Sequence, residues 1–241
     1  MADTSIAIGN AEPKKKRRRK SAEQVAKTEA TRRRLLQATA EVVGEQGFGK
    51  ATIDAITQRA EIAHGAFYLY FSSRQDAFDQ VLAQLGEDLM AQIGAAIRDS
   101  HDIVELEKKA FQANIAFSDT HPYMHRFMTE AELFAPEAYQ EFMKNLRAGY
   151  VRSLRRSHRA GELADFREDE LEAVAVLLMG LRRAIIHGFC LDGWTLKAPS
   201  PDVYETLSKL IKHGLQPSRW SGGQGAAHDE AGRAKDAPPK T

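Results

Sequence analysis

Between Glu61 and Phe71 the chain reads "EIAHGAFYLYF", which places an imidazole, a glycine and four aromatic rings in one short stretch. An exposed tyrosine there can offer its hydroxyl to a phosphate and its ring face to a thymine methyl. A small residue beside it lets a backbone approach closely. The chemistry on offer is contact with a nucleic acid, set against the plainer alternative of a hydrophobic core. Helical spacing sorts the side chains: Ile62, Phe67 and Phe71 fall on a face turned toward neighbouring helices, whereas Ala63, His64, Gly65 and Tyr68 look outward.

A second polar concentration is the basic run Lys14, Lys15, Lys16, Arg17, Arg18, Arg19 and Lys20. The net charge of +1 hides it, because without these seven cations the chain is acidic. A block of like charges cannot fold alone and commonly meets a polyanion. Three readings stand side by side: a nucleic-acid arm, an import signal or anionic-membrane tether, and a solubilising tail.

Catalytic signatures are missing from the sequence: it contains no G-x-S-x-G, P-loop, H-E-x-x-H or C-x-x-C. His121 and His125 stand four apart with Glu130 and Glu132 nearby, a spacing that could hold zinc on one helical face. Against it, Pro122 starts a helix after His121 and no cysteine is close, so capping and surface roles are the expectation. No metal and no cofactor is expected. The lone Cys190 excludes an internal disulfide, and no N-terminal segment reads as a signal peptide, so an intracellular protein is expected. The longest apolar run, "AVAVLLMGL", is stopped by Arg182 and Arg183, short of the roughly 20 residues a membrane span needs.

The elements that must position these residues are helical, since apolar residues recur at three and four almost everywhere and nowhere alternate for long. A first helix is predicted from Ala22 to Gln46, closed by Gly47, and Thr52 caps a short second one. After "EIAHGAFYLYF" a fourth helix opens at "SSRQDAF", with Ser72 and Gln75 as its capping box. Further helices are predicted near Asp102–Ser118, Pro122–Leu133, Pro136–Arg159, Glu168–Leu191 and Pro201–His213, with each proline in a first turn. Residues 1–22 and 217–241 are polar, aperiodic ends expected to be disordered.

Two short helices joined by a tight turn form the arrangement that lays a recognition helix in the major groove. Residues from about 28 to 78, including "GFGKATIDAITQRAEIAHGAFYLYFSSRQDAF", resemble the DNA-binding domain of the TetR family of bacterial transcriptional regulators. The resemblance implies that Thr52, Tyr70 and Arg74 hold phosphates, and that His64, Gly65 and Tyr68 lie against base edges or the backbone wall. Two departures stand out: Ala63 replaces the hydroxyl residue that normally caps the recognition helix, and Glu61 replaces the usual turn glycine. The basic run would then cross a phosphate ridge or enter the adjacent minor groove.

The same resemblance implies an all-α chain of about nine helices. Residues 23–75 would be the helix-turn-helix domain and residues 76–216 a larger helical domain for ligand binding and dimerisation. The Glu168 and Pro201 helices would pair with a second copy through Leu178, Leu181, Ile185, Phe189, Val203, Leu207 and Leu210, and an intramolecular core is the alternative for half of these. Soft, bulky side chains in the middle helices are candidates for an apolar cavity: Phe111, Ile115, Met124, Phe127, Met128, Phe134, Tyr139, Phe142 and Met143, with Arg183 to meet a polar head group. The expected protein is a homodimeric, cytoplasmic, nucleoid-associated repressor, not an enzyme and not a membrane protein. It binds a palindromic operator in double-stranded DNA and answers a small lipophilic effector such as an acyl-CoA. A nonspecific architectural nucleic-acid-binding protein is the alternative.

Overall fold

In the computed structural model residues 22–100 and 102–214 are described, and the basic run Lys14 to Lys20 and the C-terminal tail lie outside them. The helices are α1 (Ala22–Gln46), α2 (Ile53–Arg59), α3 (His64–Phe67), α4 (Arg74–Ala96), α5 (Ile103–Thr120), α6 (Met124–Phe134), α7 (Pro136–Arg159), α8 (Leu171–Ile185) and α9 (Pro201–His213). The fold is all-α, with 77% of the described residues helical, as the periodicity implies. Among the described residues the one departure is a two-stranded antiparallel hairpin, β1 (Leu191–Asp192) with β2 (Thr195–Leu196).

Local chemistry sets most boundaries. Gly47 stops α1 at φ +83°, a conformation that costs an L side chain dearly. The Thr52 side chain accepts from the Ala55 N–H and starts α2. At α4 the expected cap is displaced by one residue: Ser73, not Ser72, accepts from the Asp76 N–H at 3.0 Å. The Asp76 carboxylate reaches back to the Ser72 N–H and hydroxyl, and Gln75 bonds Asp79 instead. Pro122 does not open α6 either. His121 caps the end of α5, its ring stacked on Phe117 at 3.9 Å, and the turn that follows delays the next helix to Met124.

One continuous core runs from Leu35 of α1 to Phe142 of α7. Phe48, just past α1, lies at its centre with ring centroids 4.6 Å from Phe78, 4.8 Å from Phe127 and 5.7 Å from Phe134. A polar seam reinforces the junction. Arg126 of α6 donates from Nη1 to the carbonyl oxygens of Gly44 and Glu45, and Glu130 accepts from the Phe48 N–H at 2.7 Å. These bonds satisfy carbonyls that the end of α1 leaves without helical partners and place a cation at its negative pole.

The predicted Glu168 helix breaks up at both ends. A 3-10 turn covers Glu168–Glu170, and after Ile185 the chain widens into a π turn, Ile186–Cys190, before the hairpin. By length and composition Glu168–Cys190 could cross a membrane. Here its Leu171, Ala175, Arg182 and Ile185 are buried in the fold.

Candidate functional site

The candidate recognition surface is built on α2 and α3. Phe67 and Phe71 are fully buried and Ile62 packs partly on the same core, so these three act as the anchor that spacing predicts. Ala63, His64, Gly65 and Tyr68 are all exposed, as is Thr52. Tyr68 is 54% exposed and Leu69, which the spacing argument passed over, is 80% exposed. A Cβ at Gly65 would meet nothing within 4 Å, so no neighbour inside the chain requires glycine there. That bare backbone is open to an external surface.

Both departures from the expected motif have local answers. Glu61 sits at φ +53°, the left-handed turn that a glycine would take freely, and Arg34 bonds the Ala60 carbonyl beside it. Ala63 has extended N-cap geometry, φ −61° and ψ 138°, but supplies no side-chain cap. In its place the His64 Nδ1 lies 2.6 Å from an Asp54 carboxylate oxygen and ties the start of α3 to α2.

Two of the expected phosphate ligands are partly committed inside the fold. Tyr70 is half-buried against the core. Arg74 donates to the Ala51 carbonyl at 2.7 Å and lies over the Phe78 ring, so it braces α4 against the start of α2. The sequence signal for this was available in the aromatic residue four positions after Arg74.

A cavity of about 580 Å³ opens among α4, α5, α6, α7 and α8. Met124, Met128, Tyr139, Phe142, Met143 and Arg183 line it, six of the ten positions the sequence suggested. Phe111 and Ile115 instead pack with Ile185 and Leu207 in a separate core, Phe127 is fully buried beside Phe48, and Phe134 stacks on Phe48. Periodicity marks a large apolar side chain as inward; it does not say whether another side chain or a space faces it.

Polar groups interrupt the apolar wall of this cavity. Lys144, Arg147, Arg182 and Arg183 line it together with His125 and His187, and no Asp or Glu does so among the described residues. Burial, and after it the charges of His187 and Arg183, lower the His125 pKa below the ordinary histidine value. The four residues weighed as zinc ligands are dispersed: His121 caps α5, His125 faces His187, Glu130 pairs with Arg126 and Glu132 with Arg183. A second chamber of about 450 Å³ lies toward α4 and α5 and shares Ile93, Leu146, Tyr150 and Arg182 with the first.

The residues proposed for self-association divide. Leu178, Leu181, Ile185, Val203 and Leu207 pack inward in two smaller cores. Leu210 is half-buried, and Phe189 is 66% exposed. α8 is apolar around most of its circumference, and the sequence stripe identified its inner side. The outer side carries Ala173, Leu177 and Ala184, with Leu177 72% exposed, while Val176 and Gly180 stand in the cavity wall.

The family profile "Bacterial regulatory proteins, tetR family" matches residues 35–81. The uncharacterized HTH-type transcriptional regulator YdgC of Bacillus subtilis is 25% identical over 194 residues, 78% of this chain and 93% of that protein. Among solved structures, the fold is similar to a putative TetR-family transcriptional regulator from Syntrophomonas wolfei. That structure has TM-score 0.65 and 14% identity, with 80% of this chain and 100% of that one covered. It is also similar to the transcriptional regulator FadR from Bacillus subtilis in complex with stearoyl-CoA, with TM-score 0.62 and 14% identity, covering 76% of this chain and 99% of that one.

Proposed function

We propose that this chain, a transcriptional regulator whose residues 35–81 belong to the TetR family, is a dimeric repressor released from a palindromic operator by a lipophilic anion. It would act in the cytoplasm, on the nucleoid. Residues 23–75 read DNA, and residues 76–216 bind the effector and the second copy. Thr52, Ala63, His64, Gly65 and Tyr68 form the contact surface, Tyr70 and Arg74 support it from behind, and the basic arm adds salt-sensitive phosphate contacts.

The observation that carries the effector class is the cavity wall, apolar over most of its area and bordered by cations without an acidic residue. Arg147, Arg183 and Lys144 are paired with acids outside the wall, in exposed bridges of 3.1 to 3.4 Å. Exposed pairs of that kind are worth only about 0–1 kcal/mol, so a ligand carboxylate or phosphate exchanges for them cheaply. The FadR relative in complex with stearoyl-CoA supports an acyl-CoA or similar lipid-like anion as the first compound to try.

Dimerisation uses the outer stripe of α8, where Ala173 and Ala184 admit close approach and Leu177 supplies apolar area. A two-fold dimer sets its recognition helices about 34–36 Å apart, one turn of DNA. The test is selection of genomic fragments at about 150 mM salt, where nonspecific phosphate binding is weak. One palindromic motif, lost in the monomer expected from Leu177→Glu, supports the regulator. A featureless spread of fragments would favour a nonspecific architectural protein.

A further inference from the structure

Deep in the helical bundle, Glu107 of α5 is 3% exposed and stands in the wall of the second chamber. One carboxylate oxygen, Oε2, accepts from Arg182 at 2.8 Å and from the Tyr150 hydroxyl at 3.3 Å. The other, Oε1, is buried with no hydrogen-bond partner. Arg182 already balances the charge, so Oε1 lacks a donor rather than a second cation. Leaving a buried acceptor of this kind unpaired is costly, and charged acceptors cost the most.

Position gives the orphan oxygen its meaning. Tyr150 and Arg182, the two side chains that hold Glu107, belong to the walls of both chambers. A ligand whose anionic end meets the cations of the larger chamber and whose body extends into the smaller one passes this cluster. We infer that Glu107 Oε1 is the acceptor for a hydrogen-bond donor on the effector, a hydroxyl or an amide N–H set partway along an otherwise apolar body. The effector is then a lipophilic anion with an internal donor, not a plain saturated chain. This inference rests on the lipophilic-anion reading of the cavity and narrows it.

Calorimetric titration of the full-length protein with three probes tests it: palmitate, palmitate hydroxylated at mid-chain, and a fatty acid of matched length that carries an amide N–H at mid-chain. A hydrogen bond to a charged acceptor predicts that at least one donor-bearing probe binds about tenfold or more tighter than palmitate. The two donor probes distinguish hydroxyl from amide. In Glu107→Gln the amide must turn its oxygen to Arg182 and its NH₂ toward the ligand, so the affinity ratio falls to about one or inverts. Should that variant fail to fold with Arg182 left unpaired, Glu107→Met combined with Arg182→Met replaces the pair by apolar volume, a change buried pairs often tolerate. The ratio between probes should collapse there too, whatever the overall affinity. Equal binding of all probes to the natural protein, or a preference that survives both variants, overturns the inference alone. No binding of any probe overturns the lipophilic-anion reading and this inference with it.

Discussion

Arg126 on α6 and Glu45 at the end of α1 are joined by a 2.7 Å hydrogen bond from the arginine Nη1 to the Glu45 carbonyl oxygen. The neighbours of Arg126 on the same helix, Met124, His125, Met128 and Thr129, line the larger cavity. One short helix therefore touches the larger cavity with some side chains and the end of α1 with another. Trp194 of the hairpin covers the guanidinium at 5.1 Å, which adds a fourth contact to the same side chain after Gly44, Glu45 and Glu130.

Removing this link should uncouple the two activities. In Arg126→Ala, effector and DNA are each expected to bind, while the effector-induced loss of DNA affinity shrinks from the usual allosteric range of about 5–150-fold to about twofold or less. Anisotropy titrations of operator DNA with and without effector measure it. An undiminished response would place the coupling outside this link.

Tyr68, Leu69 and Tyr70 are adjacent but differ in burial, and their variants should differ accordingly. Tyr68→Phe removes one hydroxyl from an exposed position and should weaken operator binding by roughly two- to tenfold, the worth of about 0.5–1.5 kcal/mol, with little change on scrambled DNA. Leu69→Ala should behave alike if its methyl groups meet thymine. Tyr70→Phe should weaken all sequences equally. Competition binding with operator and scrambled duplexes separates the three.

The start of α3 lacks a side-chain cap although its backbone is already extended at Ala63. Ala63→Ser supplies the missing acceptor and should stabilise the protein by about 1 kcal/mol. In a chain of this size that raises Tm by about 2–4 °C. Thermal denaturation reads it, and an unchanged midpoint would mean that the His64–Asp54 contact already holds the helix start.

Acidity should act on the cavity through His125. Its depressed pKa means that the unfolded chain takes up a proton more readily than the folded one. The stability this histidine contributes is thus complete above its ordinary value, about 6.5, and is lost as pH falls from there through the depressed folded value. A bound anion opposes the depression, so anionic probes should bind with proton uptake and more tightly as pH drops from about 7.5 to about 6. Calorimetry in buffers of different ionisation enthalpy counts the protons. Binding without proton uptake would place the head group away from His125.

Much of this architecture was legible from residue order. α1, α7 and α9 begin and end where Gly47, Pro136 and Pro201 put them, because each terminus is fixed by chemistry within a few residues. The end of α8 was not legible, since Ile186, Phe189 and Cys190 continue the apolar period and only the packed chain shows the π turn. The exposed surface of α3 was readable because two buried phenylalanines set its rotation. Glu107 was invisible in "VELEKKA", which reads as a solvated face; Arg182, 75 positions later, is what draws that carboxylate inside.

Phe48 carries a last consequence. Its ring is enclosed by Phe78 from α4 and by Phe127 and Phe134 from α6, so the core of the helix-turn-helix segment continues into both helices. A recombinant graft that joined residues 23–75 to another regulator would transfer a reading surface and leave half of its foundation behind. The smallest portable unit runs through Phe134, and a chimaera cut there should melt in a single cooperative transition, whereas one cut at residue 75 should not hold its shape.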